Sequence, residues 1–75
     1  MDKARIARYL ERQYQNLSQD AQKQKLTETL ERLRNINFLE PEVLEEVIKT
    51  LMDEEGWPIY KVIAHLDLVD LDQRT

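Results

Sequence analysis

Cysteine is absent from this 75-residue chain, so neither a disulfide nor a thiolate zinc site can form, which fits a reducing compartment. One glycine and two prolines leave too little turn chemistry for a sheet protein, which needs several tight turns. Ser18 is the only serine and His65 the only histidine, which removes the common forms of nucleophilic catalysis. A phosphate cradle needs glycines that let backbone approach the anion, and Gly56 alone cannot build one. No apolar run approaches the roughly 18–20 residues that span a bilayer, and no apolar signal core follows Met1.

What remains is 41% hydrophobic and 35% charged, a globular balance too apolar for disorder. The expectation is a single all-α domain over residues 1–75, soluble and cytoplasmic. Its small size and initiating Met1 suggest the bacterial or phage type of small protein. The net charge of −4 is divided unevenly. Residues 1–34 carry eight Lys/Arg against five Asp/Glu, or +3, and residues 35–75 carry three against ten, or −7. Halves so divided attract each other, within one chain or across a dimer, or face different partners. The acidic total argues against general nucleic-acid binding, which draws its affinity from phosphate neutralisation.

The spacing predicts three main helices and a short fourth, packed as a small bundle. The first covers 2–17, with Ile6, Leu10, Tyr14 and Leu17 on one face and Tyr9 at its flank. Ser18 or Asp20 suits the N-cap of a second helix over 20–35, whose Leu26, Leu30 and Leu33 form a thin stripe. Whether the first two helices are separate is open, since neither glycine nor proline divides them. Asn35 and Asn37 suit a C-cap or turn, with Ile36, Phe38 and Leu39 as core plugs. Pro41 opens a third helix over 41–55 and Gly56 stands past its end. Its Val43, Leu44, Val47, Ile48, Leu51 and Met52 form two adjacent rows covering about half the circumference, wider than one neighbouring helix fills. Leu44, Val47, Ile48 and Leu51 are therefore expected to be the most buried cluster, faced by Leu10, Leu30, Ile59 and Ile63. Pro58 opens a fourth helix over 58–66, and residues 67–75 read as an irregular tail. Self-association is expected from the wide third-helix face and the Leu68, Val69 and Leu71 tail, because so short a chain covers a large apolar face poorly.

Glu28/Glu31 and Glu42/Glu45 have the spacing of helical metal ligands but fall on outward faces, so no metal or other cofactor is expected. Asp67, Asp70 and Asp72 lack the glycine and terminal glutamate of a calcium loop. His65 stands near a helix C-terminus, where a structural or exposed role is the plainer reading. Trp57 reads as a plug closing its turn, with an exposed binding anchor as the alternative. Residues 55–66, with Ile63-Ala64 and Leu66, look like the first half of a helix-turn-helix motif. The basic recognition helix that should follow is replaced by three aspartates.

Arg5, Arg8 and Arg12 share one face with Tyr9 nearby, the most suggestive polar feature. No catalytic residue is expected. The function expected is a non-enzymatic protein-binding module, a small regulator, adaptor or inhibitor. It would act through Arg5, Arg8, Tyr9, Arg12 and Trp57 and through self-association. Its partner would be another protein whose identity the residues do not give, with no membrane role. The alternative is a nucleic-acid-binding regulator using the arginine face or the truncated motif.

Overall fold

The computed structural model describes residues 2–74. Four helices follow in order: α1 (Lys3–Gln15), α2 (Gln19–Asn35), α3 (Pro41–Lys49) and α4 (Ile59–Arg74). A single π-helical turn, Thr50–Glu54, prolongs α3. No strand occurs among the described residues, and the helices pack as an all-α bundle.

The boundaries follow local chemistry. Asp2 caps α1 by accepting the Ala4 N–H at 3.0 Å. The Ser18 hydroxyl accepts the Ala21 N–H at 3.2 Å, so α1 and α2 are separate helices divided by a cap. The buried Gln22 side chain reinforces that corner by donating to the Leu17 carbonyl at 3.0 Å. α2 stops where Asn37 takes a positive φ of 54° and the Phe38 N–H returns to the Leu33 carbonyl at 3.2 Å. Asparagine tolerates this left-handed position better than most residues. Gly56, at φ 70°, does the same after the π turn, with the Trp57 N–H bonded to the Leu51 carbonyl at 2.9 Å. Ile36, Phe38 and Leu39 pack partly buried against the core, as plugs.

Two expectations are corrected. First, residues 67–74 are helical, so the fourth helix is long and carries no irregular tail over the described positions; Thr75 lies outside them. Residues 67–72 lack a clean period because α4 is the central helix, packed by α1 on one side and α2 on another. A helix buried from several sides shows no single apolar stripe. Val62, Ile63 and Ala64 are wholly buried in succession, and Val69 packs on the core. The aspartates remain compatible with this helix because basic and hydroxyl groups of α1 and α2 meet them. With the helix unbroken past Leu66, the turn of a helix-turn-helix is absent there.

Second, the core centres on α2 and α4, not on α3. Leu33, Val62, Leu66 and Leu44 form its cluster, and Thr29, Leu33, Val62 and Ile63 are fully enclosed. Of the expected α3 cluster only Leu44 is buried; Ile48 and Leu51 are half-buried and Val47 is 41% exposed. The two apolar rows of α3 part company. Leu44, Ile48 and Met52 turn inward, while Val43 and Val47 stay outside at 46% and 41% exposure. Leu10, Leu30 and Ile59 are half-buried. On α1 the buried residue is Ala7, a small side chain that the four-residue stripe passes over.

Candidate functional site

Electrostatic pairing inside the fold decides which charges remain for a partner. Asp67 on α4 sits at the meeting point of three helices. It accepts a short hydrogen bond from the Tyr14 hydroxyl of α1 and one from the Arg32 guanidinium of α2 at 3.2 Å. The Thr29 hydroxyl lies 3.3 Å away while also donating to the Lys25 carbonyl at 2.9 Å. Arg32 Nε stands 3.9 Å from the buried Asp70, too far for a hydrogen bond but close enough for attraction. Lys3 bonds Asp72 at 2.8 Å, and His65 Nε2 lies 3.5 Å from Glu11. Charges of the basic first half thus meet those of the acidic second half within one chain.

Burial and the hydrogen bond to the Asp67 carboxylate together hold the Tyr14 phenol far above its ordinary pKa. The folded protein keeps a proton that the unfolded chain releases near pH 10, so stability is lost as pH rises past that point. Urea denaturation at pH 8 and pH 11 should show a larger fall for the wild type than for Tyr14→Phe. Equal falls would separate the phenol from alkaline unfolding.

The arginine face is left over from this pairing. On α1, Ala7, Leu10 and Tyr14 turn toward the bundle, which places Arg5, Arg8, Tyr9 and Arg12 on the far side. All four are exposed, Tyr9 by 62%, and they line one shallow depression together. Arg5, Arg8 and Arg12 make no ion pair among the described residues, because Glu11 is turned to His65 and the α4 aspartates to Arg32 and Lys3. Like charges three and four apart on one helix are mildly unfavourable, so the stripe lacks an internal use.

Trp57 is not brought to this stripe. It packs half-buried beside the core, with Lys61 Nζ 4.3 Å from its ring centroid and the His65 ring at 4.8 Å. The glutamates Glu28, Glu31, Glu42 and Glu45 are all exposed, and no cluster of three or more His, Asp or Glu side chains is arranged to hold a metal among the described residues. No helix there is long and apolar enough to cross a membrane. A second surface lies on α3: an apolar groove lined by Val43, Glu46, Val47, Thr50 and Leu51. Val47 and Leu51 were expected in the core, and the α3 face they share with Val43 was the one expected to self-associate. Comparison with family models, with curated proteins and with solved structures found no match for this chain.

Proposed function

We propose that this protein is a non-enzymatic protein-binding module, a small regulator, adaptor or inhibitor, that docks its α1 face on an acidic protein surface. The observation that carries this reading is the exposed, unpaired Arg5–Arg8–Arg12 stripe grouped with Tyr9, in a fold that engages its other aspartate-facing cations internally. Arginine and tyrosine anchor interfaces well because each buries a large flat area while keeping polar reach. That Ser18 serves as a helix cap and that His65 faces Glu11 and Trp57 supports the non-enzymatic reading.

The test is capture from an extract of the native cell, identified by mass spectrometry, with wild type and Arg8→Glu/Arg12→Glu compared. Exposed charges add little to stability, so the double variant should retain its circular dichroism and its Tm to within a few degrees. It should lose the captured protein. Capture unchanged by the charge reversal, or binding of random-sequence duplex that falls steeply with salt, would overturn the reading; the latter would assign the stripe to nucleic acid.

A further inference from the structure

The groove on α3 presents the opposite chemistry to the α1 stripe. Val43 and Val47 project outward one turn apart, Leu51 continues the row, and Glu46 forms its edge. Glu42 lies one turn before Glu46 on that same flank, and Asp53 and Glu54 join Glu46 around the adjoining depression, with Lys49 as the one cation there. These carboxylates make no ion pair with another part of the chain among the described residues. An apolar row with an acidic edge fits a helix that carries an aromatic residue among cations. This chain has such a helix.

Resting on the α1 reading above, we propose that the α3 groove receives α1 of a second copy. Tyr9 lies along Val43 and Val47, and Arg8 and Arg12 meet Glu42 and Glu46. Each copy offers both halves of the contact, and in the proposed dimer two copies join reciprocally about one two-fold axis, filling both grooves. Each half carries like charges side by side on one helix, a local repulsion that the contact relieves on both partners. Charge complementarity selects this occupant over a second α3. Two α3 grooves set face to face would bring Glu42 and Glu46 against their own copies, and like charges in apposition oppose association.

A charge-swap experiment decides it. The wild type should pass from its 9.0 kDa monomer mass to about twice that in sedimentation equilibrium, over concentrations on the order of 10–100 μM, as small interfaces require. Added salt should weaken the association by screening it. Arg8→Glu/Arg12→Glu and Glu42→Lys/Glu46→Lys should each associate roughly tenfold more weakly or worse, since each makes both halves carry one sign. Mixed in equal amounts, the two variants should recover assembly, because the reversed stripe of one matches the reversed groove of the other. Circular dichroism checks that each variant is folded, and the recovery itself excludes misfolding as the cause of the losses. A wild-type monomer throughout overturns the proposal but leaves the α1 reading to the extract experiment. Association that survives both charge reversals, or that strengthens with salt, also overturns it and points to apolar contact between two α3 grooves. Failure of the mixture to recover overturns it as well.

Discussion

Replacing Asp67 with alanine should destabilise the domain by about 2–4 kcal/mol. Three side chains on two other helices, Tyr14, Thr29 and Arg32, converge on this carboxylate. Hydrogen bonds to a charged group are each worth about 1.5–3 kcal/mol. The Arg32 side chain is 39% exposed against 13% for Asp67, so solvent screens part of that pair and the sum is discounted. Removing the acceptor leaves the Tyr14 hydroxyl and the guanidinium without it in a partly buried place, which adds to the loss. For 75 residues, total stability at 0.05–0.15 kcal/mol per residue is roughly 4–11 kcal/mol. The variant should therefore lose a large share of its urea midpoint. Asp67→Asn keeps the shape without the charge and should fall between. A loss below about half a kcal/mol for alanine would show that the three helices are joined by apolar packing alone.

Leu33→Ala should cost about 2–5 kcal/mol, the range for leucine truncation in a core that cannot collapse around the gap. Leu33 is wholly enclosed and packs with Leu44, Val62 and Leu66 from two other helices. At about 4–8 °C per kcal/mol for a domain this small, the drop in Tm is large. Val47→Ala is the matched control. Despite its place in the apolar rows of α3, Val47 is exposed, and its truncation should stay within about half a kcal/mol. Comparable losses for the two would return α3 to the centre of the fold.

These two residues mark what the sequence made legible. Features set by near neighbours were readable: the Ser18 cap, the Asn37 turn, Pro41 at the start of α3 and Gly56 after its end. The arginine stripe was readable too, since spacing alone puts Arg5, Arg8 and Arg12 on one face. Whether those arginines are paired was not readable, because the answer lies with Asp67, Asp70 and Asp72 about 60 residues on, which turn to Arg32 and Lys3. The rank of the helices was hidden for a related reason. Periodicity detects a helix with one wet side, so it favoured α3 and broke down over α4, whose apolar residues face several neighbours. The π turn left no trace, since it changes hydrogen-bond register without demanding a particular residue.

The central position of α4 has a consequence for how the chain finds its shape. α4 is the last of the four helices to leave the ribosome, yet α1 and α2 bury their apolar sides chiefly against it. The contacts that lock it close long loops: Lys3 to Asp72 spans 69 residues and Tyr14 to Asp67 spans 53. Loop-closure entropy must be overcome before such contacts return any stabilisation, and isolated helices of this length are marginal in water. During synthesis, α1 to α3 therefore emerge before the helix against which α1 and α2 pack. Native packing of α1 and α2 waits until Val62, Ile63 and Leu66 are available.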